Sequence, residues 1–241
     1  LSVSYQISLT LTRDIVRIMS MKTKKTRSRV YGGIKANLRQ AERRKKLIEA
    51  GLEAFGTKGY AKTNIKMICG IAGLTERYFY ESFRHKEDLL RVVYRELIDE
   101  GQRDAMAALE DNEGTPVDAA ARVLRMFYQR FYQDPRRAQI QLFEILGVSK
   151  NIDREYQNAM RLLADLVRLF LYKVFPRIHE EKLSRSIIPT GLAGSIIMIA
   201  HEWVLNGFVT PLDDIISECM DLFMAMGKHL NKKSGSRSER A

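Results

Sequence analysis

Apolar residues along this chain recur three and four positions apart almost throughout, and the alternation of a half-buried strand is nearly absent. The first such stripe predicts a helix over 38–57, with Leu47, Ile48, Gly51, Leu52, Ala54 and Phe55 on one side. Gly59 reads as a left-handed stop, with Tyr60 packing back. Thr63 reads as the N-cap of a second helix striped by Ile65, Ile68, Cys69 and Ala72, which Gly73 ends. Thr75 reads as the cap of a short third helix carrying Phe79 and Phe83, and a fourth follows His85 to about 111 through Leu89, Leu90, Val93, Leu97 and Ile98. Five further helices are expected over 116–133, 136–148, 152–175, 184–208 and 212–230. The fold class is therefore all-α.

Two short helices joined by a tight turn around a small apolar core make a helix-turn-helix. Residues 63–83 supply one: Ile65, Ile68 and Cys69 point inward from the first helix, Ala72 and Gly73 give a turn without bulk, and Leu74, Phe79 and Phe83 close the core. Thr75, Glu76, Arg77, Tyr78, Tyr80 and Glu81 are left outward on the second helix. Such a helix enters the major groove N-terminus first. Arg77 is suited to bidentate pairing with guanine O6 and N7. The hydroxyls of Thr75 and Tyr80 suit phosphate oxygens. Glu76 either accepts from cytosine N4 or only favours the helix N-terminus through its dipole.

The net charge of +11 sharpens this reading through its placement. Between 21 and 46 there are eleven Lys and Arg against one acid, Glu42, and the remainder to residue 231 is close to neutral. A basic segment of that kind neutralises phosphates, binds anionic lipid or is a solvated tail. Cys69 and Cys219 have no C-x-x-C partner, so neither a disulfide framework nor a zinc site is expected, and each reads as a small buried apolar residue in a reducing compartment. The most apolar stretch, 187–209, is interrupted by Pro189, His201, Glu202 and Asn206 and reads as a buried helix, not a membrane span. No secretory signal is read in residues 1–20; the first residue is Leu1, and Met19 or Met21 is the expected natural start. There is no Gly-rich phosphate loop, H-E-x-x-H or G-x-S-x-G, and no two of His85, His179, His201 and His229 are three or four residues apart. No catalytic residue, metal or cofactor is expected.

The stretch FGTKGYAKTNIKMICGIAGLTERYFYESFRHKEDLL, residues 55–90, resembles the DNA-binding domain of the tetracycline-repressor (TetR) family. The resemblance is carried by Phe55, Gly59, Tyr60, Thr63, Ile65, Ile68, Ala72, Gly73, Leu74, Thr75, Phe79, Tyr80, Ser82, Phe83, Lys86, Glu87 and Leu89 at the family's spacing. It implies a phosphate-contacting cap at Thr63, a phosphate-binding tyrosine at Tyr80 and a lysine near the DNA backbone at Lys86. Arg77 and Tyr78 fall where that family places groove contacts, and the pair is bulkier than its common Gly-Thr. Asn64 stands for the family's Ser or Thr, Cys69 for Ala, and His85 for the Ser or Asn that caps the fourth helix. The DNA-binding set expected is thus Thr63, Asn64, Thr75, Glu76, Arg77, Tyr78, Tyr80 and Lys86.

The domain organisation expected is a flexible basic arm over 1–36, a three-helix helix-turn-helix domain over 37–84, a helical ligand-binding and dimerisation domain over 85–231, and a disordered tail over 232–241. The resemblance implies a homodimer built on the last two helices. Gly191, Ser195, Ile199, Trp203, Cys219 and Phe223 are its expected contacts, although the same residues suit a core within one subunit. It also implies an inducer pocket in the bundle, for which Phe127, Phe131, Phe143 and Met160 are the candidates; Met and aromatic stripes equally make plain core. The scarcity of charge on these faces favours an apolar or aromatic effector. The function expected is a repressor that binds a palindromic double-stranded operator in the bacterial cytoplasm, at the nucleoid. A small ligand would release it by moving the fourth helix, with no membrane partner. The alternative is a ligand-independent global or architectural DNA-binding regulator.

Overall fold

A computed structural model describes residues 31–110, 114–178 and 183–238, and within them the side chains of 37–232; the arm expected over 1–36 lies outside the described residues up to 30. Among the described residues there are helices and no strand. The chain divides into two units between Ala41 and Glu42. The described part of the first is the opening of α1, which runs Tyr31–Lys58 and so starts seven residues before the expected 38. Gly32 and Gly33 each disfavour helix by about 1 kcal/mol, but the Ala, Leu, Lys, Arg and Gln that follow are strong helix formers.

In the second unit α1 is followed by α2 (Ile65–Ala72), α3 (Glu76–Tyr80), α4 (Lys86–Glu110), α5 (Pro116–Gln133) and α6 (Pro135–Ala138). A π-helical turn, Gln139–Glu144, continues α6, and α7 (Lys150–Val174), α8 (Ile188–Leu205) and α9 (Leu212–Ser238) complete the bundle. Thr115 opens α5 with a reciprocal box: its hydroxyl accepts from the Asp118 N–H, and the Asp118 carboxylate accepts from the Thr115 N–H at 2.7 Å.

The regular helix expected over 136–148 is broken by the π turn. Its consequence is register. Ile140 and Ile145, five residues apart, are both fully buried in one core. An α-helix turns 100° per residue and would splay them; a turn with i→i+5 bonds brings them to one side.

That core is the largest of three. It joins Leu47, Ala54 and Phe55 of α1, Ile68 and Cys69 of α2, Phe79 of α3 and Leu89 to Leu97 of α4 to Ile140, Ile145 and Ile152. The helix-turn-helix segment (the head) and the bundle thus share one apolar interior. A second core gathers Phe170, Leu171, Phe175, Ala193 and Phe223, and a third gathers Tyr128, Phe131, Leu142, Trp203, Ile216 and Cys219.

These cores divide the two sets of residues expected in the bundle. Trp203, Cys219 and Phe223 are 3%, 5% and 8% exposed within a single chain and pack in its own core. The indole N–H of Trp203 donates to the Thr210 carbonyl at 2.8 Å, and the Cys219 thiol lies 3.3 Å from the Tyr128 hydroxyl. The outward face of α8 instead carries Ile187, Gly191, Met198 and Leu205, with Ser195 and Ile199 half-buried beside it. This helix is long and apolar enough to cross a membrane by length and composition, with only 28% of it buried inside the chain. Of the pocket candidates, Phe127, Phe131 and Phe143 meet at the third core while Met160 packs against the second, so the four do not share one space. Phe131 is fully buried and its ring centroid is 4.8 Å from that of Phe127.

Gly227 of α9 is where the second core is tightest. A Cβ there would overlap the Phe175 ring, 2.6 Å from Cδ2 and Cζ and closer still to Cε2. Gly227→Ala is therefore expected to destabilise the protein by about 1–3 kcal/mol through overpacking, measurable as a lower urea midpoint.

Candidate nucleic-acid interface

The turn between α2 and α3 is set by backbone chemistry. Gly73 sits at φ 64° and ψ 33°, the left-handed region that an L side chain enters only at a cost. From there the Leu74 N–H reaches back to the Cys69 carbonyl at 2.9 Å and closes the end of α2. Thr75 occupies the N-cap position of α3 with extended backbone, but its side chain makes no capping bond and stays exposed. The five-residue α3 is anchored by Phe79, fully buried, whose ring lies 5.6 Å from that of Phe83.

The N-cap of α2 is not Thr63. Asn64 holds that position, and its Oδ1 accepts from the Met67 N–H at 2.9 Å. Thr63 is 2% exposed, and its hydroxyl donates to the Gly59 carbonyl at 2.8 Å with the Ala54 carbonyl 3.2 Å away. Its role is to close the end of α1; its side chain offers no surface to phosphate. Lys86 is likewise turned inward. Its Nζ donates to the Tyr60 carbonyl at 2.6 Å and the Thr63 carbonyl at 2.7 Å, and lies 4.0 Å from the centre of the Tyr60 ring. Burial lowers the pKa of this ammonium.

Outward on α3 stand Thr75, Glu76, Arg77 and Tyr80, all exposed. The Arg77 side chain is 85% exposed. Tyr78 is half-buried beneath α1, with the Arg43 guanidinium 4.4 Å over its ring. The next residue of α1, Arg44, lies 4.5 Å from the Phe83 ring centre, and its Nη1 donates to the Ser82 carbonyl at 3.4 Å. Glu81 stands between two arginines: Arg43 Nη2 is 3.4 Å from Oε2, and Arg77 Nε is 3.5 Å from Oε1. Sequence reasoning counted Arg43 only within a basic run. Its position over Tyr78 depends on how α1 crosses α3, and residues 35 apart in sequence carry no local signal of that.

His85 meets the need left by the missing Ser or Asn. Its Nδ1 accepts from the Asp88 N–H at 3.2 Å, and the Asp88 carboxylate accepts from the Arg84 N–H at 3.3 Å. An imidazole that accepts at Nδ1 carries its proton at Nε2.

The head is fixed to the bundle at the C-terminal end of α1. Arg136 of α6 pairs with Glu53 at 2.7 Å, and the Glu144 carboxylate accepts the Tyr60 N–H at 2.7 Å and the Gln139 amide at 2.8 Å. Gly56 lies directly against the Arg136 backbone.

Residues 47–93 match the sequence profile of bacterial regulatory proteins, tetR family. HTH-type transcriptional regulator TtgR of Pseudomonas putida is 27% identical over 99 residues, 41% of this chain and 47% of that protein, so the match spans about half the relative's length. Among solved structures, the fatty acid degradation regulator FadR of Bacillus halodurans superposes with a TM-score of 0.63 at 16% identity, over 75% of this chain and 94% of that one. FadR of Bacillus subtilis, in complex with stearoyl-CoA, gives 0.62 at 17% identity, over 74% and 96%. SmeT, the repressor of the Stenotrophomonas maltophilia multidrug efflux pump SmeDEF, gives 0.58 at 19%, over 76% and 89%. These structural likenesses carry the fold, an N-terminal helix-turn-helix head on a helical bundle. The profile runs from within α1 to within α4, so the helix-turn-helix segment of this chain is similar to the DNA-binding domain of bacterial regulatory proteins of the tetR family.

Proposed function

We propose that this chain is a transcriptional repressor that inserts α3 into the major groove of a palindromic operator, as a homodimer, and is released by a small, largely apolar ligand. The observation that carries the reading is the outward face of α3, where Arg77, Thr75, Glu76 and Tyr80 project from a packed head. Arg77 is the base-reading residue, and Thr75, Tyr80 and Asn64 supply groups for phosphate oxygens. Tyr78 positions Arg43. A second copy covers the outward face of α8, where Ile187, Met198 and Leu205 are 84%, 59% and 60% exposed and Gly191 admits a close helix. Twofold symmetry then sets two α3 helices about 34–36 Å apart, one turn of DNA.

For the effector, the support is the aromatic character of the third core's rim, Phe127 and Phe143, and the continuity of the first core from the bundle into the head. A ligand acts only through different affinities for the DNA-competent and released states. In this protein such a difference would be transmitted through α4, Arg136 and Glu144, which touch both parts.

Arg77→Ala is expected to weaken operator binding by about 10- to 100-fold, the loss of a bidentate base contact worth about 1–3 kcal/mol, and to weaken binding to random duplex much less. Fluorescence anisotropy with both duplexes measures it. Equal losses on both would remove Arg77 from base reading.

A further inference from the structure

The cluster formed by Arg43, Tyr78, Glu81 and Arg77 contains a residue whose role the DNA-reading face does not itself require. Glu81 follows α3 directly and is an acid on a surface expected to meet phosphates. Its two oxygens face two different arginines, one on α1 and one on α3, at 3.4 and 3.5 Å. Arg43 is also held from below by the Tyr78 ring at 4.4 Å. The two guanidiniums differ in freedom: the Arg43 side chain is 26% exposed and the Arg77 side chain 85%. Both pairs are long and partly solvated, so each is weak and exchangeable with another acceptor.

We propose that Glu81 is a specificity-determining residue that occupies Arg43 and Arg77 in free protein and yields them only to an operator. The proposal rests on the DNA-reading function argued above. A phosphate on random DNA must compete with the Glu81 carboxylate for each guanidinium, and it also meets the negative charge of Glu81. At the right sequence Arg77 gains both guanine acceptors at once, a planar match a single carboxylate oxygen at 3.5 Å does not offer. Arg43, freed by the same displacement, reaches the adjacent phosphate from its seat on Tyr78. Glu81 thus weakens all binding, and weakens non-specific binding more.

The test is Glu81→Gln, which keeps the shape and removes the charge. Wild type and variant are titrated with operator and with random duplex from about 50 to 200 mM salt. The expected result is random-duplex binding tightened by about 5- to 20-fold and operator binding by less than about 3-fold. The salt slope on random DNA should steepen by about 1–2, one for each arginine released to a phosphate. The same comparison in an Arg43→Ala/Arg77→Ala background separates sequestration from simple repulsion. The gain should vanish there; a gain that persists undiminished overturns the proposal. Weaker operator binding by Glu81→Gln would make Glu81 a direct base contact and would also overturn it. If wild type shows no preference for any duplex, the DNA-reading function itself fails, a result distinct from an unchanged specificity ratio in Glu81→Gln.

Discussion

Phe79→Ala should cost about 3–5 kcal/mol and abolish operator binding. The helix that carries the reading face is five residues long, far below the length at which a helix is stable alone. Its N-cap side chain makes no bond, so the usual local support of about 1 kcal/mol is missing. What holds α3 is the Phe79 side chain, 0% exposed, against Phe83 and the shared core with Ile68 and Leu89. Removing the ring leaves a cavity at that point and frees the helix from its seat. Thermal melting followed by circular dichroism, alongside operator titration, measures both effects. Phe79→Leu should recover most of the stability. A Phe79→Ala protein that melts like wild type would contradict this description of the head.

Gly56→Ala is also expected to be damaging, for a different reason. A Cβ at Gly56 would overlap the Arg136 Cβ and lie 2.8 Å from its Cα and 2.9 Å from its carbonyl oxygen. Those last two atoms are backbone, so no rotamer change relieves the clash; α1 and α6 must separate. Separation also strains the Glu53–Arg136 pair. The expected loss is about 1–3 kcal/mol or more, with lower DNA affinity, since the head would sit wrongly on its bundle. Gly101→Ala is the control. It lies within α4 with nothing within 4 Å of the added carbon, and Ala there should stabilise by about 0.4–1 kcal/mol. A Gly56→Ala midpoint equal to that of Gly101→Ala would show that the contact with α6 does not govern the head.

What the sequence made legible follows a physical division. The 3.6-residue stripe exposed nearly every helix, because burial of one face is a local pattern. The left-handed stop at Gly59 was legible because few residues tolerate that backbone, whereas Gly73 was legible only as a turn without bulk. The resemblance implied DNA-backbone contacts at Thr63 and Lys86, and the side chains of both bond carbonyls of the α1–α2 connection. Those bonds span 9 residues for Thr63 and 23 to 26 for Lys86, so they come from how α1 and α4 pack on that connection. Trp203, Cys219 and Phe223 suited a partner or a core equally in the sequence, because an apolar helix face does not say which neighbour covers it; within the single chain they are buried. The π turn at 139–144 left no pattern, because it alters the periodicity by which helices are recognised. Arg43 and Glu81 form a pair across 38 residues, and nothing local marks it.

Selection of bound fragments from a random duplex pool bears hardest on the repressor reading. The expected outcome is one enriched sequence with twofold symmetry, half-sites about one helical turn apart, a guanine whose substitution is tolerated equally by Arg77→Ala, and two chains per duplex. Absence of any enriched sequence, or an asymmetric site bound by a single chain, would contradict it.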